Sequence, residues 1–215
     1  MTVKDNQSRE LAVAIEAAKV ASDISSQYYR DNLDVMLKED KTPVTRADVE
    51  CEEAIRSIIL GAFPDDGFYG EETGRFEADN SRLWLVDPID GTKAFVRQYP
   101  FFSTQIGMMQ DGNLVLGVSC GTMFNEMAWA ESGRGAWLNG SRLEVSDIDD
   151  PARAALSTGN LKSLAGTGGW ARLAEFVSVS DRIRGYGDFY QYHLLAAGKI
   201  DDEGFIKLVA SSAPS

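Results

Sequence analysis

The chain has 215 residues, of which 44% are hydrophobic, and a formal net charge of −12. This hydrophobic content can bury a full core, and the length suits one domain or two closely joined lobes. The negative charge argues against nucleic acid and against an anionic membrane as partners, because binding a phosphate backbone requires a basic surface. Two cysteines are too few for a disulfide framework, so we expect Cys51 and Cys120 to be buried free thiols.

The first predicted element is an N-terminal amphipathic helix that includes Leu11 and Ile15. Charged residues, among them Glu10 and Lys19, interrupt its apolar residues. The helix is therefore neither a secretory signal nor a membrane span, and no other segment has those features. We expect a cytoplasmic protein.

A second helix is predicted over residues 45–60, with Cys51 and Ile55 on its apolar face. Thr45 and Asp48 stand at its start with a spacing like that of a capping box. From spacing alone, Asp48 is more typical of a helix cap than of a catalytic residue.

Two acidic strand ends follow. A short strand over residues 67–69 precedes Gly70 and the pair Glu71 and Glu72, and an apolar strand over residues 83–86 precedes Asp87. A glutamate pair on a surface loop is usually only solvated. Two acidic strand ends in succession, however, fit a shared magnesium site at the edge of a sheet.

The segment after the second strand contains more candidate metal ligands than any other part of the chain. Pro88 is expected to end the strand, so that Asp87, the carbonyl of Ile89 and Asp90 converge. These are hard oxygen ligands, which Mg²⁺ prefers, whereas zinc would favour His or Cys. Considered alone, the segment fits a turn without a site about equally well, because Asp-Pro and Asp-Gly are common turn formers.

Gly91 and Thr92 follow at a position where a helix can begin. Backbone N–H groups at a helix start can face an anion, and a glycine allows a phosphate to approach the backbone closely. The segment therefore predicts a phosphate contact beside the metal ligands.

Further strands are predicted over residues 104–109, 114–119 and 127–130, with a two-residue hairpin turn at Asn139-Gly140. After residue 150 the pattern changes to strand, helix and strand, with Trp170, Leu173 and Phe176 or Val177 on one helical face. We expect an N-terminal α+β lobe over residues 1–150, carrying the metal site, and a partial C-terminal α/β lobe over residues 151–215. The single histidine, His193, falls in a predicted helix and is expected to be packed rather than catalytic.

Three segments together resemble the inositol monophosphatase superfamily. Its members carry a Pro-Val-Thr-x-x-Asp helix start, a Gly-Glu-Glu strand end and an Asp-Pro-Ile-Asp-Gly-Thr loop, and the chain has these in order, beginning at Pro43, Gly70 and Asp87. The resemblance implies an α/β fold, a layered αβαβα sandwich of the inositol monophosphatase and fructose-1,6-bisphosphatase type. It also implies a metal-dependent phosphoric monoester hydrolase that uses two or three Mg²⁺ ions, and a homodimer.

The same resemblance implies residue roles. Glu71, Asp87 and the Ile89 carbonyl would bind one metal, and Asp87 and Asp90 would contribute to a second. Thr92, linked to Asp48, would orient and deprotonate the attacking water, with Glu71 assisting, and Gly91 and Thr92 would contact the phosphate. Such paired ions activate a water on one side of the phosphorus and stabilise the leaving alkoxide on the other.

The loops after the metal motif are more similar to histidinol-phosphate phosphatases than to inositol-specific members. Lys93 follows the Asp-Gly-Thr sequence, and the late loop continues from Gly187 and Asp188 into Phe189. Asp188 would contact the amino group or imidazolium of histidinol, although a helix N-cap explains it equally well. Inositol-1-phosphate and adenosine 3',5'-bisphosphate are the alternative substrates.

One departure concerns the C-terminus. The family continues past a Gly-Lys-Ile-Asp segment, here Gly198 to Asp201, into a Trp-Asp-x-Ala-Ala motif whose aspartate binds the second metal, and the chain ends at Ser215 without that motif. We therefore expect an incomplete C-terminal part and a weakened second metal site. A truncated, catalytically silent homologue is the rival hypothesis.

Overall fold

The computed structural model describes residues 7–30, 35–37, 43–76, 81–159 and 161–201. The chain divides into two units, residues 1–142 and residues 143–215. The predicted lobes, with their boundary after residue 150, stay a prediction. The expected loss of the last metal-binding aspartate concerns residues 202–215, which lie outside the described residues.

The first unit contains three helices and ten strands among its described residues. The helices are α1 (Arg9–Arg30), α2 (Arg46–Ala62) and α3 (Thr92–Val96). The strands are β1 (Val35–Leu37), β2 (Pro43–Thr45), β3 (Gly67–Gly70), β4 (Gly74–Phe76), β5 (Arg82–Asp90), β6 (Ser103–Gln110), β7 (Asn113–Gly121), β8 (Glu126–Glu131), β9 (Gly135–Leu138) and β10 (Ser141–Arg142). A 3₁₀ turn, Thr122–Phe124, joins β7 to β8.

Eight of these strands form one sheet in the order β10-β9-β8-β7-β6-β5-β3-β4. Its pairings are antiparallel except for β3 with β5, which are parallel. The hairpin at the far edge turns at Asn139 and Gly140, whose φ angles are 49° and 81°. Leu138 pairs directly with Ser141, so the predicted two-residue turn is confirmed.

The two long helices pack on the sheet and on each other. Small side chains at helical spacing, including Ala14, Ala18 and Ala21, are fully buried on α1, which lets the helix approach α2 closely. Cys51 of α2 and Trp84 of β5 are fully buried in the same core. Cys51 and Cys120 are free and buried, as predicted, and burial raises the pKa of both thiols.

Within the described ranges, no helix combines the length and apolar character needed to cross a membrane. The longest, α1, has 22 residues and a polar outer face. The cytoplasmic location and the homodimer stay predictions.

Strand β5 runs further than the sequence indicates, because Pro88 does not end it. Asp87 pairs with Gln105 and Asp90 pairs with Ser103, so β5 advances three residues while β6 advances two. Pro88 and Ile89 lie within this β-bulge, where a proline's missing N–H is tolerated. The Thr104 hydroxyl donates to the Pro88 carbonyl at 2.9 Å.

The second unit contains one small parallel sheet and three helices among its described residues. Its elements are β11 (Ala155–Ser157), α4 (Leu161–Ala165), α5 (Gly169–Val179), β12 (Arg182–Arg184) and α6 (Asp188–Ala196), and a 3₁₀ turn, Pro151–Arg153, precedes them. β11 pairs with β12 in parallel. The predicted order of strand, helix and strand is thus present.

The predicted apolar face of α5 is only partly correct. Leu173 is buried, whereas Trp170 and Val177 are 46% and 44% exposed. The period of the apolar residues therefore located the helix but overestimated how much of its surface is covered.

A buried carboxylate joins the first helix, the turn before β3 and the strand β5. Asp66 is fully buried and accepts hydrogen bonds from the Trp84 indole N–H and from the Arg82 guanidinium, each at 2.9 Å. Arg82 also pairs with Glu10 of α1 at 3.0 Å. The charge of Asp66 is tolerated because both of its oxygens have strong donors.

We predict that Asp66→Ala lowers the free energy of unfolding by about 3 kcal/mol, since it leaves the buried Trp84 N–H without its acceptor and removes one of the carboxylate partners of Arg82. Urea denaturation monitored by circular dichroism measures the change. Asp65→Ala is the matched control, because Asp65 is exposed. Equal stability of the two variants would show that the network contributes nothing.

Candidate active site at the ends of strands β3 and β5

The parallel pairing of β3 with β5 brings the two predicted acidic strand ends together. Gly70 pairs with Val86, so the residues that follow, Glu71 and Asp87, are neighbours across the ladder. The Glu71 N–H donates to the Val86 carbonyl at 3.1 Å. The carboxylate of Glu71 acts on the charge of Asp87 from this position.

The bulge in β5 determines where Asp90 and Ile89 lie. In a regular strand Asp87 and Ile89 would share a face, with Asp90 on the other. The extra residue reverses this: Ile89 is buried in the core at 1% exposure, and Asp90 lies close enough to Asp87 to act on its charge. A bulge that changes the direction of a side chain is a recurrent feature beside active sites.

Helix α2 supplies a further carboxylate. Asp48 lies in its first turn, is 1% exposed and also acts on the charge of Asp87. The side chain of Thr45, its expected capping partner, lies outside the described residues.

Burial and like charges together determine the protonation of Asp87. Burial, then the carboxylates of Glu71 and Asp90, then a hydrogen bond with Glu71 and the charge of Asp48, raise the pKa of Asp87 to about 8. A carboxyl group that is partly removed from water and surrounded by other carboxylates favours its neutral form. A bound cation would reverse this preference, because it would be the largest local charge.

The donor set fits a hard divalent cation in its chemistry. The groups are carboxylates and a carbonyl, all oxygen ligands of the kind that Mg²⁺ takes. Among the described residues, Oδ1 of Asp87 is the one buried side-chain polar atom without a hydrogen-bond partner. Within the same ranges, no three His, Cys, Asp or Glu side chains already stand in the arrangement of a metal site. The ligand roles of Glu71, Asp87, Ile89 and Asp90 therefore stay predictions.

The turn after β5 contains the predicted phosphate contacts. Gly91 has a φ of 91° and precedes α3. A Cβ at Gly91 would lie 2.7 Å from the Phe101 carbonyl oxygen. Glycine is therefore required here because the backbone of Phe101 passes close to it. The Thr92 hydroxyl donates to the Ile89 carbonyl at 3.2 Å, which fixes the side chain beside the bulge.

Glu52 also belongs to this region, although no sequence motif predicted it. Glu52 lies one turn after Asp48 on α2, is fully buried, and accepts hydrogen bonds from the backbone N–H groups of Glu72 and Thr73. Its spacing of four residues from Asp48 places both on one helix face and was the one available signal.

The predicted substrate contact, Asp188, belongs to the second unit. It is the first residue of α6, and Gly187 occupies the N-cap position, so the alternative role of Asp188 as an N-cap is wrong. Asp188 has a φ of 43°, a conformation that few residues other than glycine adopt. Its side chain is exposed, although nearby protein displaces enough water to raise the pKa of the carboxyl.

The single histidine lies on the same helix, α6. His193 is 5% exposed and packs edge-on against the Phe189 ring, with 5.0 Å between the centroids. The prediction that it is a packed residue is therefore confirmed.

Comparison with known proteins identifies the family. Residues 6–207 match the inositol monophosphatase family. The chain belongs to the inositol monophosphatase family. This family and the chain's relatives are phosphatases, which hydrolyse phosphate monoesters, and the chain is an enzyme of that class. Members of the family are metal-dependent, generally on Mg²⁺.

Two curated relatives are histidinol-phosphatases. That of Chlorobaculum parvum is 35% identical over 193 residues, which cover 89% of the chain and 74% of the relative. That of Mycobacterium tuberculosis is 37% identical over 204 residues, which cover 89% of the chain and 76% of the relative. The similarity thus spans most of both proteins.

Solved structures share the fold. The extragenic suppressor protein SuhB of Bartonella henselae has a TM-score of 0.82 and 31% identity, covering 90% of the chain and 77% of that protein. The IMPase of Thermotoga maritima has a TM-score of 0.76 and 31% identity, covering 89% of the chain and 74% of that protein. The predicted α/β fold class of the inositol monophosphatase type is therefore confirmed.

We predict that Asp87→Asn stabilises the protein when no divalent cation is present. The pKa of Asp87 lies above its ordinary value of 3.8, so the native state holds more protons than the unfolded state between about pH 4 and pH 8. Wild-type stability therefore falls as pH rises through that range, and asparagine removes the dependence. The difference between variant and wild type should grow by about 1 kcal/mol per pH unit.

Urea denaturation in EDTA at four pH values measures this difference. Asp65→Asn, at an exposed position, is the control and should follow the wild type at every pH. A stability difference that is constant with pH would show that Asp87 does not hold a proton in the native state over this pH range.

Proposed function

We propose that the chain is a Mg²⁺-dependent phosphomonoesterase that hydrolyses the phosphate ester of a small metabolite, with histidinol phosphate as its preferred substrate. The observation that carries the proposal is the gathering of Glu71, Asp87 and Asp90 with Asp48 around a buried carboxylate oxygen that has no partner. A fold that keeps four carboxylates together without a cation loses stability, and a function that requires a cation explains their retention.

Each group has a proposed role. Glu71, Asp87, Asp90 and the Ile89 carbonyl hold Mg²⁺. When bound, the metal neutralises charge on the phosphate and on the leaving alkoxide and makes water a better nucleophile. Thr92 Oγ1 orients the attacking water, and Asp48 with Glu71 accepts its proton.

In the reaction the water oxygen forms a bond to phosphorus as the ester P–O bond breaks. The products are inorganic phosphate and the free alcohol. The N–H groups of Gly91 and Thr92 contact the phosphate in this proposal, so positioning and charge neutralisation supply most of the catalysis.

Two lines of support favour histidinol phosphate. The relatives from Chlorobaculum parvum and Mycobacterium tuberculosis are histidinol-phosphatases, as is a Streptomyces coelicolor relative with 35% identity over 182 residues. Histidinol carries a cationic amino group, which suits a chain of net charge −12 and the carboxylate proposed to contact it, Asp188.

We predict Mg²⁺-dependent release of phosphate from histidinol phosphate, faster than from inositol-1-phosphate or adenosine 3',5'-bisphosphate. Asp87→Asn should lower kcat by about a hundredfold or more, since it removes a charge that acts on the reacting groups. A colorimetric phosphate assay with and without Mg²⁺ measures both effects.

The outcomes separate the hypotheses. A different preferred ester would correct the substrate while leaving the chemistry intact. Absence of turnover with all three esters in the folded wild-type protein would support the rival hypothesis of a catalytically silent homologue.

We predict that Asp188→Asn raises KM for histidinol phosphate by about tenfold and leaves KM for inositol-1-phosphate within about twofold, because only the first substrate carries a cation. Asparagine tolerates positive φ well, so the substitution keeps the backbone of α6. Steady-state kinetics with both esters provides the measurement. Equal changes in KM for the two esters would show that Asp188 does not discriminate between these substrates.

A further inference from the structure

A further buried carboxylate lies near the acidic cluster, that is, Asp87 and the three carboxylates that act on its charge. Glu52 of α2 is fully buried, and its two oxygens accept separate hydrogen bonds. Oε2 accepts from the Glu72 N–H at 2.8 Å, and Oε1 accepts from the Thr73 N–H at 2.7 Å. Both distances are short, as expected when the acceptor carries a charge. These two bonds compensate for the desolvation of the carboxylate.

Gly70 leaves the space that the Glu52 carboxylate occupies. A Cβ at this position would lie 2.2 Å from Oε1 of Glu52, which is far inside van der Waals contact. Any side chain at Gly70 would therefore displace the carboxylate. The Glu52 carboxylate can therefore occupy its position only because residue 70 is glycine.

The backbone around Glu71 is fixed on both sides. Its own N–H donates to the Val86 carbonyl at 3.1 Å, and the next two N–H groups donate to Glu52. The side chain of Glu71 is exposed. These three hydrogen bonds fix the backbone from which the side chain leaves, and hence the direction in which it approaches Asp87.

We propose that Glu52 is a positioning residue, which fixes the turn over residues 71–73 so that Glu71 meets Asp87, and thereby sets the affinity of the acidic cluster for Mg²⁺. The inference rests on the proposed function, because it takes Glu71 and Asp87 as the groups that hold the cation. Glu52 itself binds no metal in this proposal.

Two variants disturb the contact by different means. Glu52→Gln keeps the shape of the side chain, but its amide NH₂ must face one of the two backbone donors, so one hydrogen bond is lost. Gly70→Ala keeps every charge and displaces the Glu52 carboxylate. Glu53→Gln is the matched control, because Glu53 is the next residue on the same helix and is exposed.

The measurement is the Mg²⁺ concentration that gives half of the maximal rise in melting temperature, determined with the full chain. The Mg²⁺ concentration for half-maximal phosphate release at 25 °C is the second readout. We expect Glu52→Gln and Gly70→Ala to raise both midpoints by about tenfold, the effect typical of a lost partner of a metal ligand, and Glu53→Gln to stay within about twofold of the wild type. KM at saturating Mg²⁺ should change little.

Because Mg²⁺ midpoints are compared within each variant, a lower melting temperature without added metal does not affect the comparison. Wild-type Mg²⁺ midpoints in folded Glu52→Gln and Gly70→Ala would assign Glu52 a purely structural role and overturn the inference. If only one variant folds, its midpoint decides. Absence of any Mg²⁺ response in the wild-type protein would instead overturn the proposed function.

Discussion

The repulsion between carboxylates at the ends of β3 and β5 is the constraint around which the first unit is organised. Parallel pairing brings Glu71 beside Asp87, and the bulge adds Asp90. Burial, together with these neighbouring carboxylates, raises the pKa of Asp87 to about 8, so Asp87 favours its protonated form when no cation is bound. Such an arrangement opposes folding and persists only if the surrounding structure holds it in place. The extensive buried core of this unit supplies that stability.

Helix α2 holds the arrangement from one side. Asp48 and Glu52 lie four residues apart on the same face, and both are buried. Asp48 acts on the charge of Asp87, whereas Glu52 binds the backbone beyond Glu71. Two carboxylates of similar burial thus have different surroundings, because Asp48 lies near other carboxylates and Glu52 accepts hydrogen bonds from backbone N–H groups. The difference lies in their partners and not in residue type.

The sequence predicted the elements well where the period of apolar residues was long, as in α1, α2 and the antiparallel strands. It also predicted that Glu71 and Asp87 meet, since it placed both at the ends of successive strands, although Asp87 lies within β5. It did not predict the bulge, because Pro88 is read locally as a strand breaker, whereas in the fold β6 supplies a hydrogen bond to its carbonyl. The contact of Glu52 with the turn was equally invisible, since it joins segments 20 and 21 residues apart. Tertiary contacts of this kind leave no local pattern.

This difference between local sequence motifs and tertiary contacts explains why the motifs indicate the class of reaction more readily than the identity of the phosphate ester. The residues proposed to act on metal and phosphate lie between Asp48 and Thr92, within the first unit, and that chemistry is common to every phosphate monoester. Choice of ester depends on groups that contact the alcohol, which these motifs do not encode. Asp188 is proposed as such a group, and it lies in the second unit with a backbone conformation that its residue type rarely adopts. A conformation of this kind is held by the surrounding structure, so no local sequence pattern predicts it.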